Sequence, residues 1–392
     1  YPSSSYAVDA EFELASTYHL QRQYSSAIAS YQSFISKNPR SVYTKQAYNK
    51  MALAYLNIQD RENAIKNFKY VIDNYKGSQE AIDAISNLES IYTEQGNTAE
   101  FFDYIRTKNV NYSESKQDSV AFKAADSKFT RGDCDGAIKG YEDYLRQFPN
   151  GLFAATALFN KGECEYGNKN YDKALISYEA LVTKYNTNNN EVAVKKLSII
   201  LFNKNEYGRA LEYFTKLIEL SSSQNNTIYA HNGVMRCAFE LERYRQSLES
   251  AESIINSNQN DQDLKNDALI YAGRSAYLLN ETISAKRYFS TLATSCNNEI
   301  CAEAAYKHAE ITFNEKDYDE AERLIKKIIS GSYTSAYWLG KTFILYGDWY
   351  KEKENYFQAR HTYQSIVDNF EGELKEIALQ KISEVTALEN AQ

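Results

Sequence analysis

Small, large apolar and polar residues follow one another along this chain in a pattern that returns every 35 to 38 residues. Within each unit the apolar positions lie three, four or seven residues apart, a spacing that places side chains on one face of an α-helix. The clearest marker is a small residue at one phase of ten successive units: Ala27, Ala64, Ala99, Ala137, Ala174, Ala210, Ser247, Ala285, Ala321 and Ala359. A period of this length is the signature of a repeat solenoid.

Three further features accompany the repeated small residue. A large side chain follows it by four residues in most units: Tyr31, Phe68, Tyr141, Tyr178, Phe214, Phe289, Ile325 and Tyr363. A tyrosine often precedes it by three residues: Tyr24, Tyr171, Tyr207, Tyr244, Tyr318 and Tyr356. A second small residue precedes it by twelve: Ala15, Ala52, Ala125, Gly162, Ser198, Gly273, Ala309 and Gly347. Each unit therefore predicts two antiparallel helices that pack closely, with the break just before the tyrosine, as at 168–170 and 315–317.

A helix–turn–helix with a small residue at position 8, alanine at 20, a large residue at 24 and proline at 32 resembles the tetratricopeptide repeat. In that numbering, which is kept below, Ala27, Tyr31 and Pro39 stand at positions 20, 24 and 32. The resemblance implies an all-α fold, a right-handed α–α superhelix that forms a single solenoid over residues 1–392. Its elements would be repeats at 6–39, 43–76, 79–110, 117–150, 154–187, 191–222, 228–259, 266–298, 301–333 and 337–371, and a closing helix at 373–389.

Repeats three and seven match the pattern least well. Repeat three has Asn87 and Asp103 at positions 8 and 24, and repeat seven has Met235 and Ala251 there. We expect a bend or a loosened contact at both.

All three prolines fall at one phase of the repeat. Pro2, Pro39 and Pro149 each precede a serine or glycine by two residues and an aromatic residue by four. Proline at this phase ends the second helix and turns the chain into the next unit. We therefore expect Tyr1 to follow a missing repeat and the sequence to be part of a longer protein or a processed form.

Composition excludes some classes of partner. The net charge of −8 weighs against nucleic acid and against an anionic membrane surface. No apolar run approaches the roughly 18 residues that a membrane-spanning helix needs. We therefore predict no nucleic-acid binding and no membrane insertion.

The five cysteines do not have the spacing of a zinc site. Cys134, Cys164 and Cys237 lie singly in helical units, where we predict small apolar packing. Cys296 and Cys301 flank the turn from repeat eight to repeat nine. A disulfide between them needs Cα atoms within about 7 Å and would indicate an oxidising compartment.

The chain shows no catalytic constellation. There is no glycine-rich phosphate loop, nucleophile elbow or HExxH motif. The four histidines, at 19, 231, 308 and 361, lie in different repeats without a second metal ligand at a recognisable spacing. We predict that the protein is not an enzyme and holds no cofactor or metal.

The family resemblance implies that positions 2, 5, 9 and 12 of the first helices line a concave groove. Position 12 carries six aromatic residues in succession: Phe129, Tyr166, Phe202, Phe239, Tyr277 and Phe313. This ladder either packs within the repeats or grips a ligand. At position 9, Arg236 and Arg274 would form a positive patch beside Phe239, Tyr277 and Asn232 that suits a partner carboxylate. The alternative is an ion pair between repeats, for instance Arg274 with Asp267.

The sequence thus favours a non-enzymatic scaffold that binds protein or peptide segments in an aromatic groove, as a monomer or weak homodimer. Two alternatives remain open: a glycan-binding accessory protein, and the regulatory arm of an enzyme whose catalytic domain lies upstream. The connectors and the tyrosine- and asparagine-rich repeats are similar to tetratricopeptide repeat proteins of the Gram-negative envelope, including the large ones of Bacteroides-like bacteria. This similarity implies a periplasmic or envelope location.

Overall fold

A computed structural model describes residues 5–110, 112–258 and 260–390, and these residues form helices without any β-strand. The all-α fold class is confirmed, with two consecutive antiparallel helices in each repeat. Where the sequence predicts one continuous solenoid, helix packing groups the chain into two compact units, 1–187 and 188–392. Pro2 lies outside the described residues.

The first unit holds repeats one to five. Its helices are α1 (Ser5–Leu20), α2 (Tyr24–Lys37), α3 (Thr44–Asn57), α4 (Arg61–Asn74), α5 (Gln79–Gln95), α6 (Thr98–Thr107), α7 (Glu114–Thr130), α8 (Cys134–Gln147), α9 (Ala154–Gly167) and α10 (Tyr171–Lys184). Pro39 and Pro149 lie in the connectors that follow α2 and α8, as the sequence predicts.

The second unit holds repeats six to ten and a last single helix. Its helices are α11 (Asn190–Asn203), α12 (Tyr207–Leu220), α13 (Gln224–Glu240), α14 (Tyr244–Ile255), α15 (Gln262–Leu278), α16 (Thr282–Leu292), α17 (Glu299–Asn314), α18 (Tyr318–Ile329), α19 (Ala336–Glu352), α20 (Tyr356–Asn369) and α21 (Glu373–Glu389).

Within each unit, the first helix of a repeat packs on its own second helix and also on the first helix of the next repeat. Examples are α1 with α3 in the first unit and α13 with α15 in the second. The first helices therefore form a continuous face, which we call the inner face of that unit.

A sharp turn at position 15 joins the two helices of each repeat. The residue at this position has a left-handed backbone in every repeat: Arg22, Gln59, Gly96, Gly132, Lys169, Asn205, Glu242, Asn280, Lys316 and Glu354. The next amide then bonds to the carbonyl five residues before it, as Asn170 N does to Glu165 O at 2.8 Å. This pair of features is a Schellman ending, which satisfies the last carbonyls of the first helix. The second helix begins two residues later, at the predicted tyrosine in six repeats.

The repeated small residue is fully buried in nine of its ten predicted positions, where it lets the two helices approach closely. Ala99 is the exception, because it is exposed. The left-handed turn of repeat three lies at Gly96, so position 20 of this repeat is Phe101, which is fully buried. The predicted phase of repeat three was therefore wrong by two residues.

This correction explains why repeat three matched poorly. Positions 8 and 24 are occupied by Glu89 and the buried Ile105, not by Asn87 and Asp103. A phenylalanine ring stands where the other repeats have alanine or serine, and α6 is only 10 residues long. The contact between α7 and α6 is correspondingly weak, and α7 packs at least as much on α5. The loosened contact expected for repeat three is found at its junction with repeat four.

Repeat seven, in contrast, packs tightly. Met235 and Ala251 both have no exposed surface, and Ser247 Oγ donates to the Met235 carbonyl at 2.9 Å. The large residue has moved to position 8 and the small one to position 24, so the volume between the helices is conserved. The expected irregularity of repeat seven was wrong for this reason.

Candidate functional site

Most rings of the predicted aromatic ladder pack within their own repeats. Four of the six meet the tyrosine at position 17 edge to face, with ring centroids 5.3 to 5.6 Å apart. These rings are Tyr166 in the first unit and Phe202, Phe239 and Phe313 in the second. All four are half-buried. Such contacts are typical of stabilising aromatic pairs. Most ladder rings therefore stabilise the turn between the two helices of their own repeat.

Two ladder residues lack a tyrosine at position 17. Phe129 lies before Cys134 and is half-buried against Tyr141, at a centroid distance of 6.4 Å. Tyr277 lies before Thr282 and exposes 37% of its surface. The Lys307 ammonium stands 4.7 Å from the centre of its ring. Tyr277 is therefore the most exposed residue of the ladder.

Several residues at position 9 form hydrogen bonds within their own repeat. Where position 24 is tyrosine, its buried hydroxyl bonds to position 9 of the same repeat: Tyr31 to Ser16, Tyr141 to Asp126, Tyr178 to Glu163 and Tyr363 to Asp348. Where position 24 is phenylalanine, position 9 is Leu53, Ile199 or Arg274. Burial, reinforced by the neighbouring carboxylates, raises the pKa of the Tyr178 and Tyr363 hydroxyls. These acidic residues are acceptors for internal tyrosines.

The two groove arginines are paired between repeats. Arg236 Nη2 lies 2.5 Å from Asp267 Oδ2, and its Nε donates to Asn232 Oδ1 at 3.1 Å. Arg274 makes a bidentate contact with Glu303, at 2.7 and 2.5 Å. The hydrogen bonds to Glu303 raise the pKa of the Arg274 guanidinium.

The expected positive patch is therefore wrong, because each guanidinium is already matched by a carboxylate. The alternative of ion pairs between repeats is found, with different partners from the predicted Arg274–Asp267 pair. A role of Asn232, Arg236 and Arg274 in ligand binding remains a prediction.

Four of the five cysteines form disulfides, which corrects the prediction for two of them. Cys134 and Cys164, expected to be packing residues, are bonded with Cα atoms 5.1 Å apart. Cys296 and Cys301 form the second disulfide, with a Cα distance of 5.7 Å. Cys237 is buried and unpaired, as expected.

Cys134 stands at position 17 of repeat four, and Cys164 at position 10 of repeat five. The bond therefore joins α8 to α9 at the place where six other repeats begin their second helix with tyrosine. The missed sequence signal for this disulfide was a cysteine at position 17, where six other repeats have tyrosine.

Two cavities among the described residues lie at connectors, away from the ladder. One of about 550 Å³ adjoins the Pro149 connector, and another of about 460 Å³ adjoins the Pro39 connector. In the first, the Asp118 carboxylate already accepts from the Tyr144 hydroxyl at 2.5 Å and from the Leu152 amide at 2.7 Å. The carboxylate thus holds the connector in place.

Within the described ranges, no three His, Cys, Asp or Glu side chains cluster closely enough to hold a metal ion. A helix with the length and apolar character needed to cross a membrane is likewise absent from that part of the chain.

Comparisons with known proteins identify the repeats. Tetratricopeptide repeat models match residues 9–41, 46–78 and 122–189. No curated protein matches the chain. A tetratricopeptide repeat protein from Parabacteroides merdae is similar at 14% identity, covering 70% of this chain and 100% of its own, with a TM-score of 0.34.

Two other solved structures are similar in the same way. YrrB, a TPR protein with an unusual peptide-binding site, is 22% identical over 49% of this chain and 94% of its own, with a TM-score of 0.39. PilF of Pseudomonas aeruginosa is 15% identical over 60% of this chain and 97% of its own, with a TM-score of 0.38. The matched segments coincide with helix pairs whose packing follows the repeat positions, and the chain therefore contains tetratricopeptide repeats.

Proposed function

We propose that this protein is a non-enzymatic scaffold that binds segments of partner proteins on the inner face of its second unit. Tetratricopeptide repeats in general support protein interactions. The observation that carries the finer proposal is Tyr277, whose ring is exposed where Phe202, Phe239 and Phe313 are half-buried against tyrosines. An exposed aromatic ring on a rigid helix face is a typical anchor of a protein interface.

A photo-crosslinking side chain placed at Tyr277 is expected to form adducts with partner proteins in cells of the native host. The control is the same side chain at Ile176, which is 66% exposed on the second helix of repeat five. Adducts are separated on gels and identified by mass spectrometry. Equal labelling from both positions, or no labelling from Tyr277, would contradict the proposal.

Substitution of Tyr277 alone is the suitable mutation for this site. Phe239 contacts both Tyr244 and Tyr271, at centroid distances of 5.6 and 5.1 Å. Its removal would weaken the repeat as well as the inner face, so a variant that replaces Phe239 together with Tyr277 would not separate binding from folding.

The exposed Tyr277 ring also supports a second candidate, glycan binding, because aromatic faces can stack on sugars. A glycan array probed with the wild-type chain and with Tyr277→Ala separates the two candidates. Glycan signals that disappear in the variant favour the second.

We further propose that the protein works in an oxidising compartment of the cell envelope, such as the periplasm. The two disulfides support this location, because disulfides persist in oxidising compartments and are rare in the cytosol.

Thiol counting in the native host tests the location. Protein precipitated directly from cells with acid, unfolded and alkylated, is expected to carry one label, on Cys237. Reduction before alkylation is expected to give labels on all five cysteines. Five labels without reduction would place the protein in a reducing compartment.

A further inference from the structure

The turn of repeat eight exposes three apolar side chains within seven residues of sequence. Tyr277 and Leu278 end α15, with exposures of 37% and 48%, and Ile283 is the second residue of α16, with an exposure of 86%. These are positions 12, 13 and 18, and we call the three side chains the repeat-eight corner. In each of the other nine repeats, position 13 or position 18 is polar. The corner therefore has no counterpart along the rest of the chain.

The charges around the corner are already neutralised. Lys307, whose ammonium lies over Tyr277, also pairs with Glu310 at 2.7 Å. Lys286 on α16 pairs with Glu315 at 2.5 Å, and Glu281 in the turn pairs with Arg245. An exposed apolar patch with a charged rim is typical of an interaction site. Because the rim is paired, the group that covers the patch is expected to be apolar and uncharged.

The size of the corner limits what can cover it. A stable dimer buries about 800 Å² on each subunit, which is far more than three side chains provide. A second copy of this chain is therefore a poor occupant for the corner alone. A short segment with one apolar anchor side chain fits its area.

We propose that the repeat-eight corner binds an apolar anchor of a partner segment, a leucine, isoleucine or aromatic side chain, whose neighbouring residues continue over the Tyr277 ring onto the inner face. This proposal rests on the proposed scaffold function and adds the chemistry of the partner. Burial of one such anchor changes affinity by about tenfold or more.

Selection of random peptides displayed on phage against the full-length chain tests the anchor. Selected peptides are expected to share an apolar anchor and to bind with little dependence on salt concentration. Ile283→Asp is expected to weaken the best peptide by about tenfold or more. The matched control is Phe357→Asp, at position 18 of repeat ten and 53% exposed, which is expected to leave affinity unchanged. Circular dichroism verifies that both variants remain folded.

The possible outcomes separate this inference from the proposed function. Peptides that crosslink to Tyr277 but bind Ile283→Asp as tightly as the wild type would overturn the anchor and leave the scaffold function standing. Peptides that bind without labelling Tyr277 would contradict both. Selection of charged peptides, failure to select any, or a dimer that Ile283→Asp dissociates in sedimentation experiments would also overturn the anchor.

Discussion

Tyr207→Cys is expected to form a third disulfide, with Cys237, and this bond is expected to raise the free energy of unfolding of the second unit by about 3 to 4 kcal/mol relative to the reduced variant. The two positions are equivalent to those of the existing Cys134–Cys164 bond, position 17 of one repeat and position 10 of the next. The sequence separation is also the same, 30 residues. Equivalent positions at the junction of repeats nine and ten touch as well, because the Trp349 indole nitrogen donates to the Tyr318 carbonyl at 2.7 Å.

The matched control for this experiment is Tyr244→Cys. Both tyrosines stand at position 17 and both meet a phenylalanine ring at 5.6 Å, so each substitution loses a similar contact. Position 10 after Tyr244 is Ser275, which offers no thiol. The difference between the two variants therefore isolates the disulfide.

Thermal unfolding with and without a reducing agent, together with thiol counting, measures the effect. In the wild-type protein, burial raises the pKa of the Cys237 thiol to about 12, so this thiol is expected to resist alkylation until the unit unfolds. Oxidised Tyr207→Cys that retains two alkylatable thiols after unfolding would show that the junctions of repeats four–five and six–seven are not equivalent.

Gly347→Ala is expected to destabilise the protein by about 1 to 3 kcal/mol, because the helices of repeat ten leave no room for a methyl group. A Cβ at this position would lie 2.2 Å from Tyr363 Cε1. The Tyr363 ring is fully buried, and its hydroxyl bonds to Asp348 at 2.7 Å, so it cannot move aside without losing that bond.

Gly208→Ala is the control for Gly347→Ala. Gly208 also lies in a helix, but a Cβ there would meet nothing within 4 Å. Alanine favours helix more than glycine does, so this variant is expected to be neutral or slightly stabilising. Chemical denaturation of the three proteins compares them, and an equal effect of the two substitutions would contradict the packing argument.

The sequence predicts the helix pairs well because the repeat period is dictated by packing. Positions 8, 20 and 24 form one contact between two helices, and their sizes can be read along the chain. Repeat three was misplaced because Ala99 lies two residues before Phe101 and imitates the expected small residue. The left-handed turn at Gly96 sets the true phase, because the second helix begins two residues after it, at Thr98. The glycine itself, a residue that favours this backbone conformation, was the available sequence signal.

The candidate site was less predictable, because side-chain partners come from other helices. The aromatic ladder can be recognised in the sequence, but the burial of four of its rings depends on contact with the tyrosine at position 17. The family resemblance implied that position 9 lines the groove, whereas the carboxylates of Asp126 and Asp348 at this position accept hydrogen bonds from the tyrosine at position 24. That pairing could have been found by comparing positions 9 and 24 across repeats, since an acceptor accompanies tyrosine and not phenylalanine. The partners of Arg236 and Arg274 depend on the stacking of neighbouring repeats.

The Cys134–Cys164 bond also affects how the protein opens. In a repeat array, each unit is stabilised mainly by its neighbours, so local unfolding can begin at one repeat and spread to the next. A covalent link between repeats four and five makes the separation of these two repeats impossible without reduction. Fraying that starts at the weak junction after α6 therefore meets two repeats that stay tethered to each other, and the bond resists the spread of local unfolding through repeats four and five.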